Sequence, residues 1–206
     1  LTNHSISVDC SAKKIGYVAG AGDKVAEFTR SMGVEVEALD YKAVTTEELA
    51  QYDAVVFGIR ALNVHEDIDK YLPVFYTYAE NGGTLIMQYN TSHRLKTSNL
   101  KGLKLSRDRV TEEDSHVIAD TNAVVLNQPN TIAPKDFEGW VQERGLYFPN
   151  SWPYGSVTPL KMADSEGYWY TGSLVIQDLG KGKFVYTGLS FFRELPAGVS
   201  GAYKLW

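Results

Sequence analysis

The sequence has few of the residues that covalent and metal chemistry require. It contains one cysteine, Cys10, so it can form neither an intrachain disulfide nor a cysteine-rich zinc site. Its four histidines are scattered along the chain, and no two of them stand at the spacing of metal ligands. We therefore expect no bound metal ion and no cofactor.

Long apolar runs and excess positive charge are also missing. No run approaches the roughly 18 apolar residues that a membrane-spanning helix needs, so the sequence predicts no membrane span. The net charge is −5, whereas proteins that bind nucleic acids normally present a basic surface. We therefore expect no nucleic-acid partner. An apolar content of 44% and a charged content of 22% are typical of a globular domain with a core.

Motifs for nucleotides and nucleophiles are incomplete. Gly20 and Gly22 lack the third glycine of a dinucleotide fingerprint, because Val25 occupies its place. There is no G-K-[ST] phosphate loop and no G-x-S-x-G elbow, and Cys10 precedes the first predicted strand. The sequence therefore offers no recognisable nucleophile.

What the sequence does contain is a regular alternation of short apolar strands and amphipathic helices. Strands are predicted at 14–19, 34–39, 52–58 and 84–89, with helices after Asp23, at 45–51 and at 65–80. This pattern predicts an α/β fold, flavodoxin-like and doubly wound, with a mainly parallel sheet and helices on both faces. Extra strands are predicted at 103–110, 172–177 and 183–188. We interpret 1–12 as a tail or linker and 13–206 as one domain, expected to be part of a longer protein.

Candidate binding residues stand where these strands end. Ligands of open α/β sheets bind beyond the carboxyl ends of the strands, and Arg60, with Asn63 nearby, follows the third strand. Arg60 is either an anion clamp in that crevice or a structural residue that pairs with Asp23 or caps a helix. Arg193 follows the last strand in the same way.

Arg107 and Arg109 share one face of a predicted strand, because side chains in a strand alternate with a period of two. They either line a site together with Arg60 or form structural salt bridges. The candidate partners for such bridges are Glu112, Glu113 and Glu143.

The segment 136–154 is unusually rich in rings, with six aromatic residues among its 19. We expect it to fold over the strand ends and form one wall of the crevice. Phe137 and Trp140 are predicted to pack inward, and the exposed rings are predicted to be those of Tyr147, Trp152 and Tyr154.

Glu143 and Arg144 lie inside this segment and have two interpretations. They either supply acid–base and anion-binding groups or form a buried arginine–carboxylate pair that holds the segment in place. The full set of candidate ligand-binding residues is Arg60, Asn63, Asn90, Arg107, Arg109, Trp140, Glu143, Arg144, Tyr147, Trp152 and Arg193.

The order of elements resembles the class I glutamine amidotransferase-like superfamily and its ThuA-like relatives. Nearly all of 14–206 is similar to the domain found C-terminal to PIG-L/LmbE-type deacetylase domains in bacteria. The strings that carry this likeness are GIRALN at 58–63, QYN at 88–90, SRDRVT at 106–111, DFEGWVQERGLYFP at 136–149 and YTGLSFFRELPAG at 186–198. The resemblance implies a bacterial protein, periplasmic or secreted, and a deacetylase domain as an intramolecular partner.

At the position that the resemblance assigns to the family's catalytic residue, this sequence has a different residue. In amidotransferases the strand after the Gly-Gly turn ends in an elbow with the catalytic cysteine, but here Tyr89 or Asn90 stands at that position. Neither side chain can form the acyl-enzyme that glutamine hydrolysis requires. We therefore expect a non-catalytic module that binds a small polar ligand or glycan, or docks to the deacetylase domain. The alternative is a hydrolase with an unconventional site built from Arg60, Asn90, Glu143 and Arg193.

Overall fold

The computed structural model describes residues 11–112, 114–120, 122–128, 130–140, 144–165, 167–195 and 206. Cys10, Glu113 and Glu143 lie outside the described residues, as does almost all of the predicted tail. The interpretation of 13–206 as a single domain stays a prediction.

The chain forms ten strands and five α-helices within the described residues. The strands are β1 Lys14–Val18, β2 Glu35–Ala38, β3 Ala54–Phe57, β4 Thr84–Gln88, β5 Lys104–Leu105, β6 His116–Ala119, β7 Pro149–Ser151, β8 Leu160–Ala163, β9 Leu174–Leu179 and β10 Gly182–Thr187. The helices are α1 Val25–Ser31, α2 Thr46–Leu49, α3 Ala61–Val64, α4 Ile68–Glu80 and α5 Phe191–Glu194.

Six of these strands form the central sheet, in the order β2-β1-β3-β4-β10-β9. All neighbouring pairs are parallel except the last, in which β9 runs antiparallel to β10. This topology confirms the prediction of a flavodoxin-like, mainly parallel α/β sheet. Because β1, β3, β4 and β10 run in the same direction, their carboxyl ends lie along one edge.

The sheet has an apolar core on each face because side chains alternate along every strand. Val55 and Phe57 of β3 belong to the core that contains Phe75 of α4. Their neighbours Ala54 and Val56 belong to a core on the other face, against which Ala26 of α1 packs. Helices therefore cover both faces, as predicted.

Two predicted elements differ from the structure. The strand expected at 103–110 is only β5, because the Ser106 hydroxyl accepts from the Asp108 amide at 3.0 Å and donates to the Phe148 carbonyl at 2.7 Å. This local turn interrupts the strand. The helix expected at 65–80 starts only at Ile68, because His65 has an extended backbone and ends the separate helix α3.

The remaining strands pair outside the central sheet, β5 with β7 and β6 with β8. Strands β6 and β8 border a third core, which contains Val110, Phe137, Trp140 and Phe148. Of the extra strands that the sequence predicted, those at 172–177 and 183–188 are β9 and β10 of the central sheet, and β5 is part of the one at 103–110. Strands β6, β7 and β8 were not predicted. Within the described part of the chain, no helix has the length and apolar character to cross a membrane.

Candidate functional site

The first opening along the carboxyl edge lies between the ends of β1 and β3, and we call it the switch-point crevice. Gly20 and Ile59 form its two sides. The Ala21 amide donates to the Ile59 carbonyl at 2.8 Å, and a Cβ on Gly20 would overlap that carbonyl group. Gly20 therefore permits a close approach of two backbone segments, and the crevice is shut.

Asp23 and His65 complete the closure of the switch-point crevice. The Asp23 carboxylate accepts from the Tyr17 hydroxyl at 2.7 Å, from the Val25 amide at 2.8 Å and from the Ile59 amide at 3.2 Å. Burial, reinforced by the charge of Asp23, raises the pKa of Tyr17 well above its usual range. The His65 Nε2 lies 2.6 Å from the Ala19 carbonyl oxygen. The polar groups at this strand end therefore satisfy one another.

Arg60 lies at a strand–turn–helix junction with an unusual backbone. It follows β3, begins α3 and has φ 56° and ψ 21°, a left-handed conformation that costs an L-residue roughly 1–2 kcal/mol. Its amide donates to the Tyr89 carbonyl at 2.8 Å, and its side chain is exposed. Among the described residues it forms no salt bridge, so the pairing with Asp23 considered above does not occur.

The elbow conformation expected after β4 is found instead at Arg60 after β3. Tyr89 and Asn90 do lie at the carboxyl edge, as the sequence predicted, but neither has a positive φ. The chain continues from Asn90 as an irregular loop, without the helix that an elbow needs. No elbow forms after β4 because the Asn90 side chain is buried and hydrogen-bonded in the core.

Asn90 is 1% exposed, and its side chain is fully engaged. Its Oδ1 accepts from the Leu62 amide at 2.9 Å, and its Nδ2 donates to the Gln88 carbonyl and to the Tyr186 hydroxyl, each at 3.2 Å. The Asn90 amide also donates to the Tyr186 hydroxyl, at 2.9 Å. Asn90 therefore joins α3, β4 and β10, and all of its side-chain polar groups are engaged.

Asn63 also has a structural role. Its Oδ1 accepts from the Thr91 amide at 2.8 Å, while its Nδ2 lies within 3.3 Å of the carbonyl oxygens of Thr91, His93 and Arg94. Asn63 thus fixes the loop that follows β4. This loop carries His93 towards the second opening of the edge.

The second opening is a cavity of about 610 Å³, lined by His93, Arg107, Arg109, Leu146 and Tyr147, and we call it the strand-end groove. Both arginines are exposed. The structure therefore brings together three of the predicted candidates, Arg107, Arg109 and Tyr147. His93 and Leu146 were not among the predicted site residues, although the position of His93 shortly after β4 indicated that it lies at the carboxyl edge.

An aromatic stack forms the wall of the strand-end groove. The rings of Tyr147 and Tyr89 are parallel within 8°, with centroids 6.2 Å apart, and Phe192 lies 5.2 Å from Tyr89 on centroids. His93 approaches Tyr147 edge-on at 6.1 Å. Tyr147 has φ 52°, so the backbone is held in a strained conformation beside the cavity, which is frequent at functional sites.

The aromatic segment is attached directly to the end of β10. The Leu146 amide donates to the Gly188 carbonyl at 3.0 Å, and a Cβ on Gly145 would overlap the same carbonyl group. The segment therefore lies over the strand ends, as the sequence predicted. Phe137 and Trp140 are buried, which confirms their predicted inward packing.

Arg144 is a buried residue that connects neighbouring segments, and it does not lie at the edge of the crevice. It is 3% exposed. Its Nε donates to the Ser115 hydroxyl at 2.9 Å, its Nη2 donates to the Ser115 carbonyl at 3.1 Å, and its Nη1 donates to the Phe137 carbonyl. Burial lowers the pKa of Arg144, while the charges of Glu194 and Asp114 oppose this shift. Arg144 is therefore buried and holds the aromatic segment in place, through Ser115 and Phe137.

The other candidates lie elsewhere. Trp140 donates from Nε1 to the Asp136 carbonyl at 3.1 Å. Tyr154 is fully exposed, as predicted. The predicted exposure of Trp152 is wrong, because its ring is half-buried against the core that contains α4. Glu143 and the side chain of Arg193 lie outside the described residues.

Comparison with known proteins identifies the fold. No protein-family model matches this sequence, and no curated protein does so either. Similar solved structures include a ThuA-like protein from Bacteroides uniformis, with 12% identity and TM-score 0.57, over 97% of this chain and 92% of that one. A GMP synthase subunit from Thermoplasma acidophilum is 11% identical with TM-score 0.53, over 95% of this chain and 96% of that one. A β-galactosidase from Rahnella is 14% identical with TM-score 0.58, over 95% of this chain and 30% of that one. The fold is therefore glutamine amidotransferase-like.

Proposed function

We propose that this chain is a non-catalytic, amidotransferase-like accessory module whose strand-end groove binds a small polar ligand or glycan. The observation that carries this proposal is the groove itself, about 610 Å³ in volume and lined by Arg107, Arg109, His93 and Tyr147. Ligand pockets typically measure roughly 300–1,000 Å³ and place a few polar groups among aromatic and apolar ones. The groove has that size, but three of its five lining residues are polar or charged, which suits a polar ligand.

The amidotransferase nucleophile position supports a non-catalytic role. Tyr89 and Asn90 stand where an amidotransferase carries its cysteine, and every polar group of the Asn90 side chain is engaged. His93 lines the groove and is a side chain that can act as an acid or base. Among the described residues, however, no carboxylate, serine or cysteine lines the groove beside it.

A second candidate function, docking to a deacetylase domain of the parent protein, is favoured by an exposed apolar patch. Ile118 of β6, Tyr168 and Trp169 are all exposed, and the Trp169 ring lies 6.4 Å from that of His116. Exposed apolar patches of this kind are characteristic of interaction surfaces. The sequence likeness to domains that follow PIG-L/LmbE-type deacetylases supplies the proposed partner. Binding of Trp169→Ala and wild type to the purified deacetylase domain would test this candidate.

The groove is tested with two matched tyrosine variants, Tyr147→Ala and Tyr154→Ala. Ligand-observed NMR with a panel of monosaccharides, amino sugars, sugar acids and amino acids should detect binding to the wild type. Tyr147→Ala should weaken it about fivefold, since one aromatic stacking contact contributes on the order of 1 kcal/mol. Tyr154→Ala, which removes a fully exposed ring, should leave binding unchanged.

Two results would contradict the proposal. Equal binding by both tyrosine variants would place the ligand outside the groove. Release of ammonia from glutamine by the wild-type protein would show that the module is catalytic, and loss of that activity in Cys10→Ser would identify the nucleophile.

A further inference from the structure

We infer that the ligand of the strand-end groove is anionic, and that Arg107 and Arg109 bind its carboxylate or phosphate group while Tyr147 stacks on its ring. This inference rests on the proposed function and narrows it from polar ligands in general to sugar acids and sugar phosphates. It follows from the charges, the rigidity and the ring geometry of the groove.

The charges of the groove are unlike those of the rest of the molecule. The chain carries a net charge of −5, yet the charged side chains that line this cavity are those of Arg107 and Arg109. Within the described part of the chain, neither arginine forms a salt bridge; every salt bridge found there uses a lysine. Both guanidinium groups are therefore exposed and retain their capacity to bind an anion.

Arginine is suited to this role by its shape. Its planar guanidinium group presents a fixed fork of N–H donors, which matches the two oxygens of a carboxylate or phosphate. Arg107 and Arg109 are two residues apart, which corresponds to roughly 7 Å in an extended chain. Two long side chains at that separation can converge on a single anionic group.

Backbone hydrogen bonds hold both arginines in place. The Ser106 amide donates to the Phe148 carbonyl at 3.1 Å, the Phe148 amide donates to the Asp108 carbonyl at 3.0 Å, and the Val110 amide donates to the Gly145 carbonyl at 3.1 Å. These bonds lie immediately before, between and after the two arginines. Because the backbone is already ordered, ligand binding loses little additional entropy.

The ring of Tyr147 indicates which group of the ligand lies beside the anion. It is stacked on Tyr89 and contacts His93 edge-on, and it lines the cavity, so the half-exposed ring can contact a flat apolar surface of a ligand. The C–H face of a sugar ring provides such a surface beside its polar substituents. An anion attached to a sugar ring therefore satisfies both the guanidinium groups and the tyrosine.

Isothermal titration calorimetry on the full chain tests this inference with four probes: glucose, glucuronate, glucose 6-phosphate and inorganic phosphate. Glucuronate or glucose 6-phosphate should bind at least about tenfold more tightly than glucose, because charge-assisted hydrogen bonds are roughly twice as strong as neutral ones. Their binding should weaken as salt is added. The better of the two identifies the anion as carboxylate or phosphate.

The double variant Arg107→Gln/Arg109→Gln should lose this preference and bind the anionic sugar about tenfold more weakly or worse. The matched control is Lys161→Gln, which removes one exposed cation of β8 and should bind like the wild type. Circular dichroism should show both proteins folded, since exposed substitutions usually change stability by less than about 0.5 kcal/mol.

The outcomes separate this inference from the proposed function. If glucose binds as tightly as its anionic derivatives and the double variant still binds, the groove takes neutral ligands; the anionic inference is then overturned while the proposed function stands. If inorganic phosphate and both anionic sugars fail to bind the wild type, the anionic inference is likewise overturned. A response to the Lys161→Gln control equal to that of the double variant would show a nonspecific effect of charge and also overturn it.

Discussion

The switch-point crevice and the strand-end groove lie on the same edge of the same sheet, and they differ in how their polar groups are used. In the crevice, Asp23 accepts hydrogen bonds from Tyr17, Val25 and Ile59, and the backbone of Gly20 seals the remaining space. In the groove, Arg107 and Arg109 face an open cavity. Polar residues at a strand end are thus a weak indication of binding unless they remain unsatisfied and accessible.

The difference has a structural origin. Short local connections close the crevice, because β1 leads to α1 and β3 leads to α3 within a few residues. The long segment between β4 and β9 forms the groove. It contacts the sheet again where the Leu146 amide donates to the Gly188 carbonyl. An insertion of this length can hold side chains away from the sheet surface and leave space between them.

The largest expected effect comes from forcing the crevice open with Gly20→Ala. The new Cβ would overlap the Ile59 carbonyl group, which is backbone and can yield only if a strand end moves. We expect a loss of about 3 kcal/mol in the free energy of unfolding, measured by urea denaturation. Gly22→Ala is the control: it has φ +96° and no atom near its Cβ position, so it should lose only about 1 kcal/mol from backbone strain. Equal losses would mean that close packing does not seal the crevice.

An intermediate effect is expected from Tyr186→Phe, at the boundary between the two openings. This change removes the oxygen that accepts from both the amide and the Nδ2 of Asn90, at 2.9 and 3.2 Å. Two buried donors would lose a partner, so unfolding should become easier by about 2 kcal/mol. Tyr154→Phe, at a fully exposed position, should leave stability unchanged. If Tyr186→Phe were as stable as the wild type, these hydrogen bonds would not be what holds Asn90 in place.

The smallest effect on stability is expected at Arg60, where two variants measure the contributions of the backbone conformation and of the side chain separately. Arg60→Gly should raise the free energy of unfolding by up to about 1 kcal/mol, because glycine accepts φ 56° without strain. Arg60→Ala retains that strain and removes only an exposed side chain, so its stability should stay within about 0.5 kcal/mol of the wild type. Thermal denaturation of both variants measures these changes. A loss above about 1 kcal/mol for Arg60→Ala would show that the guanidinium has a structural partner.

Local patterns made the sheet predictable. The apolar runs around Val55 and Leu85 and the helical spacing of Leu72 and Phe75 depend on neighbours in sequence, and they predicted alternating strands and helices and hence a mainly parallel sheet. The order of the strands in the sheet was not predicted. The predicted strand at 103–110 failed because the turn at Ser106 depends on Phe148, which is 42 residues away. The hydrogen-bond partners of Arg144 were not predictable for the same reason, since Ser115 and Phe137 are distant in sequence.

The sequence by itself determined the α/β architecture, the absence of a cysteine at the end of β4 and the presence of an aromatic segment with nearby arginines. Only the tertiary structure decided which arginines are accessible: Arg144 is buried among its acceptors, whereas Arg107 and Arg109 line a cavity with His93 and Tyr147. Residue type fixes which interactions a side chain can make. Whether those interactions are satisfied within the protein or left for a ligand depends on which distant segments the fold brings beside it.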